Sequence, residues 1–214
     1  MLKVDNSNNL LFSIVVHGAT ALSTIVVFRK YIAEVLKDAF TFRWNASTKF
    51  IIQIVISMIP VAMVGLFFED AITALFTGQV LLVAGMLFIT GILLLLTQFS
   101  PIKEKSISYS SALVLGLSQA AAILPGISRS GATIATALLL GVNKTEAARF
   151  SFLMVLPPIL GAMLLKILEF SKTPIVAEGI SSTPLLVGFA AAFTSGLLAC
   201  RWMINLVRKG KLIY

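Results

Sequence analysis

An arginine lies between two serines in the stretch Leu117-Ser-Gln-Ala-Ala-Ala-Ile-Leu-Pro-Gly-Ile-Ser-Arg-Ser-Gly-Ala-Thr133, which is otherwise apolar. Pro125 and Gly126 predict the end of one helix, and Ser128 predicts the start of the next, because serine is a preferred N-cap residue. A helix start offers unpaired backbone N–H groups and the positive end of the helix dipole. Together with Arg129 and two hydroxyl groups, this arrangement favours a phosphate ligand.

The composition indicates an integral membrane protein. Of the 214 residues, 58% are hydrophobic and only 12% are charged, a balance that excludes an ordinary soluble domain. The net charge of +8 is spread over short segments between apolar runs. This spread favours orientation in a membrane over nucleic-acid binding. The single cysteine, Cys200, excludes an intramolecular disulfide and any Cys-x-x-Cys site, and we expect it to be a small core residue.

Five apolar runs have the length of about 20 residues that a helix needs to cross a bilayer. They lie near residues 10–28, 50–68, 79–97, 148–168 and 184–206. A further stretch, 111–142, is divided by Pro-Gly into halves of about 15 residues, each too short to span. We therefore predict an all-α integral membrane fold, one domain over residues 1–214, with five transmembrane helices and one re-entrant helix pair.

The basic residues predict how the chain is oriented. If 111–142 enters the membrane and returns to the same side, 13 Lys and Arg residues fall on one face and 3 on the other. This asymmetry agrees with the positive-inside rule, whereas a single crossing there would move six of the 13 to the other face. The pair therefore enters from the cytoplasmic side. The first and fourth spans run in opposite directions and both begin Phe-Ser, which hints at an inverted-repeat architecture.

The chain carries several further motifs around the Arg129 stretch. They are Gly116-Leu-Ser-Gln119, Pro125-Gly-Ile-Ser-Arg-Ser-Gly-Ala-Thr-Ile134, Leu140-Gly-Val142 and Ala148-Arg-Phe-Ser-Phe152, with Ile59-Pro60 and Gly65-Leu-Phe-Phe-Glu-Asp70 upstream. Together these motifs resemble those of the undecaprenyl-diphosphate phosphatase (bacitracin-resistance) family. The resemblance implies hydrolysis of undecaprenyl diphosphate, a polyprenyl diphosphate lipid left by cell-wall polymerisation, to the monophosphate and inorganic phosphate. It also implies a multi-pass protein of the bacterial cytoplasmic (inner) membrane.

The resemblance assigns catalytic roles to Arg129, Ser128 and Ser130. Arg129 would clamp the diphosphate and stabilise charge on the transferred phosphoryl group, and the serines would donate hydrogen bonds to the same oxygens. Other roles remain open. Arg129 could pair with a carboxylate or cap helix carbonyls, and either serine could act only as a helix cap.

Four further residues are predicted to bind the substrate: Gly126, Gly131, Thr133 and Gln119. Thr133 shares a helix face with Ser130, but its hydroxyl could instead bond back to a helix carbonyl. Gln119 could reach the phosphate, although a structural role is favoured.

The family resemblance implies Mg²⁺ or Ca²⁺ as a cofactor, yet no His, Cys, Asp or Glu cluster here has ligand spacing, so no metal ligand is predicted. Similar proteins begin with a re-entrant element that carries Glu-x-x-x-Glu and Ser-Ser-x-x-His, and they end with one more span. Neither is matched in this sequence, and we therefore expect this chain alone to be catalytically deficient. A packing role is favoured for His17, and a solvated helix end for Glu69 and Asp70.

Two other functions are compatible with the sequence. A transporter or translocator of a phosphate-bearing lipid could use the same arginine, because broken helices often build anion sites in secondary transporters. The chain could also be an inactive paralogue. A homodimer is compatible with the sequence as well.

Overall fold

The structure, a computed structural model, describes residues 6–41, 43–68, 75, 79–100, 104–172 and 182–209. Within these ranges the chain forms helices and no strand, apart from one isolated bridge between Lys105 and Val142. The helices are α1 (Asn6–Ala39), α2 (Ala46–Phe67), α3 (Val80–Leu96), α4 (Tyr109–Ala121), α5 (Arg129–Leu139), α6 (Lys144–Leu153), α7 (Leu156–Lys172) and α8 (Ser182–Lys209). The predicted all-α class is confirmed.

Four helical stretches are long and apolar enough to cross a membrane. They are Ala46–Phe67, Val80–Phe99, Lys144–Leu165 and Thr183–Val207, and they coincide with four of the predicted spans. The remaining predicted span, 10–28, lies within α1. The chain is thus a multi-pass membrane protein, and the count of five crossings stays a prediction.

Two compact units make up the fold. The first lies within Met1–Ala33 and Val155–Met203, and the second within Glu34–Met154 and Ile204–Tyr214. The Arg129 loop belongs to the second unit.

The first unit is held by close contact between α1 and α8. A Cβ atom added to Gly196 would lie 3.1 Å from the Cβ atom of Ser23, so glycine is needed for this approach. One turn further, the Thr24 hydroxyl and the Cys200 thiol lie 3.7 Å apart in a buried hydrogen bond. The expectation that Cys200 is a core residue is confirmed.

In the second unit, α2 packs tightly on α4. A Cβ atom added to Gly116 would lie 2.9 Å from the Cα atom of Ser57. The Gln53 side-chain amide donates a 2.6 Å hydrogen bond to the carbonyl of Ile107, just before α4 begins. These contacts fix the helix that leads to the Arg129 loop.

Helices α4 and α5 form a closed hairpin. The Lys105 N–H donates to the Gly141 carbonyl, and the Asn143 N–H donates to the Lys105 carbonyl, each at 3.0 Å. With 13 and 11 residues the helices are about 20 and 17 Å long, well short of the roughly 30 Å hydrocarbon core. The chain therefore leaves and returns to one place, as a re-entrant pair requires. Its insertion into the bilayer remains a prediction.

The fourth predicted span, 148–168, is interrupted. Helix α6 ends at Leu153, and α7 begins at Leu156. Pro157 and Pro158 follow directly, and since neither has an N–H, the carbonyls four residues before them receive no helical hydrogen bond. The structure breaks the helix just before these two prolines.

Candidate functional site

The site begins with the cap of α5. Ser128 is the N-cap residue, and its Oγ accepts a 3.2 Å hydrogen bond from the Gly131 N–H. The Ala132 N–H donates to the Ser128 carbonyl at 2.8 Å. In the described part of the chain, the N–H groups of Arg129 and Ser130 have no acceptor. Two backbone donors at the positive end of the helix are thus available to an anion.

The Arg129 side chain is exposed beside these donors. Among the described residues, its guanidinium makes no hydrogen bond or ion pair, so the alternative of carboxylate pairing is not seen. Ser128 is also exposed and Ser130 is half-buried. Although the Ser128 oxygen accepts the capping bond, its O–H can still donate. A cation, two N–H groups and two hydroxyls therefore meet at one helix start.

The backbone at Gly126 holds this loop against α3. Gly126 has φ +96°, a conformation that side chains other than glycine rarely adopt. A Cβ atom there would lie 2.9 Å from the Cα atom of Val83. Glycine is therefore required twice, for its dihedral angle and for the close approach of two backbones.

Sequence reasoning missed Thr90, which ties the loop to α3. The Thr90 Oγ1 atom accepts a 3.2 Å hydrogen bond from the Ser128 N–H and donates one of 3.1 Å to the Met86 carbonyl. Thr90 is the only buried residue of α3 and the only one there with a hydroxyl group. A lone hydroxyl in an apolar span was the signal available in the sequence.

Of the four predicted substrate-binding residues, Gly131, Thr133 and Gln119 are buried and Gly126 is half-buried. The Thr133 hydroxyl donates a 2.9 Å hydrogen bond to the Arg129 carbonyl, which is the back-bonding alternative. A Cβ atom at Gly131 would lie 3.0 Å from the Ser128 Oγ atom. Gln119, on α4, is 2% exposed, and its Oε1 atom accepts no hydrogen bond from the described residues. Substrate contact by any of these residues remains a prediction.

The other candidates, His17, Glu69 and Asp70, lie in other parts of the sequence. His17 lies on α1, in the first unit, with its side chain exposed. Glu69 and Asp70 lie outside the described residues. Over the described ranges, no three His, Cys, Asp or Glu side chains are grouped so that they could hold a metal ion. The residues seen here do not fit a metal centre.

Comparison with known proteins gives one consistent result. A family model described as bacitracin resistance protein BacA matches residues 1–214. Proteins named undecaprenyl-diphosphatase from Parabacteroides distasonis and Bacteroides fragilis are each 50% identical over 212 residues, which is 99% of this chain and 80% of theirs. A protein of the same name from Carboxydothermus hydrogenoformans is 37% identical, covering 97% of this chain and 77% of its own.

Proposed function

The chain belongs to the bacitracin resistance protein family, and we propose that it hydrolyses undecaprenyl diphosphate to undecaprenyl phosphate and inorganic phosphate. This is an enzymatic activity of a multi-pass protein in the bacterial cytoplasmic membrane. The apolar tail of such a lipid stays in the bilayer, and only its diphosphate needs to reach a polar site. The product is the lipid carrier that cell-wall synthesis uses again.

One observation is the main support for a diphosphate site at the Arg129 loop. The exposed Arg129 guanidinium lies at a helix start where the N–H groups of Arg129 and Ser130 have no acceptor in the described chain. A planar guanidinium can bind two phosphate oxygens at once, and free N–H groups at a helix start attract the same charge. No other group is needed for a diphosphate clamp.

The proposed reaction is a hydrolysis of the phosphoric anhydride. Water attacks the terminal phosphorus, and the bond from that phosphorus to the bridging oxygen breaks. The bridging oxygen stays with undecaprenyl phosphate, and of the two protons of the water one stays on inorganic phosphate and the other is released to solvent. Negative charge is spread over the oxygens of the transferred group, where Arg129 and the two N–H groups stabilise it. The Ser128 and Ser130 hydroxyls donate to the same oxygens.

Phosphatase chemistry is consistent with a divalent cation, and for this family we propose Mg²⁺ or Ca²⁺. A bound cation would neutralise phosphate charge. The described residues contain no group of three or more His, Cys, Asp or Glu side chains that could hold it.

The test is phosphate release from undecaprenyl diphosphate by purified protein. Arg129→Lys keeps the charge but loses the planar fork, so we expect turnover to fall about 100-fold or more, as after removal of an oxyanion donor. Arg43→Lys, at another exposed arginine, is the matched control and should leave turnover unchanged. Near-normal turnover in folded Arg129→Gln protein would refute the site. Tight diphosphate binding without phosphate release would agree with the expectation that this chain alone is catalytically deficient. Transfer of the intact lipid across a liposome membrane, without phosphate release, would refute the hydrolysis and favour a translocator.

A further inference from the structure

A second polar site lies in the first unit. A pocket of about 260 Å³ opens between α1 and α8, with far more room than a single water needs. It is lined by Val26, Val27, Arg29, Lys30 and Arg201. None of these residues belongs to the Arg129 loop.

The lining is cationic and without acidic partners. Arg29, Lys30 and Arg201 are all exposed, and no carboxylate lines the pocket. Among the described residues these three side chains make no ion pair or hydrogen bond. The three positive charges around the pocket repel one another, and a bound anion would reduce that repulsion.

The walls of the pocket are already in place. The Ser23–Gly196 approach and the Thr24–Cys200 hydrogen bond join α1 to α8 within two turns of the cations. An anion would therefore meet a formed site, with little ordering cost.

The pocket also lies near the end of two predicted spans. Arg29 directly follows the predicted span 10–28, and Arg201 lies five residues before the end of the predicted span 184–206. Val26 and Val27 form an apolar wall. Trp202, beside Arg201, is 67% exposed, and tryptophan is enriched at the level of the lipid headgroups. In this arrangement the cations can bind the phosphate of a lipid headgroup while the apolar wall contacts its acyl chains.

We propose that the pocket formed by Arg29, Lys30 and Arg201 binds a phosphate group, supplied by the headgroup of an anionic phospholipid at the face predicted to be cytoplasmic. The site is separate from the one proposed to hydrolyse the diphosphate. Free inorganic phosphate offers the same chemistry, and the experiment distinguishes the two sources.

The experiment compares two double variants in nanodiscs. The protein is placed in phosphatidylcholine with a minor fraction of phosphatidylglycerol, and the lipids it retains after gentle detergent extraction are quantified by mass spectrometry. Arg29→Gln with Arg201→Gln should lower phosphatidylglycerol enrichment on the order of tenfold, since each cation near a membrane surface contributes several-fold. Lys37→Gln with Lys49→Gln, which removes the same charge from the same predicted face, should change it less than twofold.

A second arm titrates inorganic phosphate into the protein in phosphatidylcholine alone. If the protein retains phosphatidylglycerol only when the pocket cations are present, and does not bind inorganic phosphate, the lipid headgroup is supported as the source of the phosphate group. Phosphate binding that depends on Arg29 and Arg201 supports the pocket with a free anion as its ligand. Equal behaviour of the two double variants in both arms overturns the proposal. If the pocket double variant does not fold, Lys30→Gln replaces it, with an expected loss of about threefold.

Discussion

At the scale of single residues, one hydroxyl group fixes the position of the Arg129 loop. The Thr90 hydroxyl accepts a 3.2 Å hydrogen bond from the Ser128 N–H and donates one to the Met86 carbonyl. The N-cap role of Ser128 could be predicted, because it depends on residues three positions apart. The acceptor of the Ser128 N–H could not be predicted, because Thr90 lies 38 positions away in the sequence and only packing brings the two residues together.

Thr90→Val should destabilise the loop. The Ser128 N–H loses its acceptor in a partly buried hydrogen bond, so we expect the free energy of unfolding to fall by about 1–3 kcal/mol. Phosphate release should fall as well, mainly in kcat, and Thr90→Ser should restore both. Thermal unfolding in detergent and steady-state kinetics measure the two effects. Thr97→Val, which loses only a bond to its own helix, is the control; an equal loss there would contradict the role of Thr90.

Gly126→Ala should be among the most harmful small substitutions in the chain. A positive φ strains alanine by about 1–3 kcal/mol, and the added methyl group would press on the backbone of Val83. Gly91→Ala is the matched control, because nothing lies within 4 Å of a Cβ atom there and alanine favours a helix. Melting temperatures of the two variants give the test. Similar melting temperatures would show that the loop does not need this backbone shape.

At the scale of elements, the sequence predicts the helices of the α4–α5 hairpin but not the contact that joins its ends. The length of the two helices, too short to span a membrane, and their separation by Pro-Gly can be predicted from the sequence. The joining of Lys105 to Gly141 and Asn143 does not, because backbone pairing between distant residues leaves no side-chain pattern. The break between α6 and α7 is not predicted by the apolar run 148–168 either, because a hydropathy window detects length and polarity but no interruption of two residues.

Cysteines at Lys105 and Lys144 should react from the same side of the membrane. Both positions flank the joined ends of the hairpin, and the charge distribution places them in the cytoplasm. The measurement is labelling of inside-out and right-side-out vesicles with an impermeant maleimide, with Lys37→Cys as a cytoplasmic reference. Labelling of Lys144→Cys and Lys105→Cys from opposite sides would show that the segment crosses.

At the scale of the whole molecule, an odd number of membrane crossings would place the two ends of the chain on opposite sides of the membrane. Four helical stretches qualify as spans, and α1 contains the fifth predicted one. The distribution of basic residues then places the N-terminal end outside and the C-terminal end of α8 inside. Charge and hydropathy carry this prediction, whereas the division into two compact units depends on contacts that neither property encodes.

A fluorescent protein fused after α8 should fold and fluoresce in cells, because we expect that end in the cytoplasm. An alkaline phosphatase fused at the same place should stay inactive, since it needs an oxidising compartment to form its disulfides. With the N-terminal end outside, as the charge distribution predicts, the reverse pair of results would mean an even number of crossings. In that case either α1 does not span or the hairpin does.

The backbone link between Lys105 and Asn143 also makes the hairpin separable. Since its two ends are already joined, replacing residues 106–142 with a short glycine linker closes only a small gap in the chain. Such a deletion would remove every predicted contact with the diphosphate, and a re-entrant hairpin predicts that the number of membrane crossings stays the same. Relatives could exchange this module as a cassette, and a chimaera that carries another family member's hairpin would report which substrate preferences reside in those residues alone.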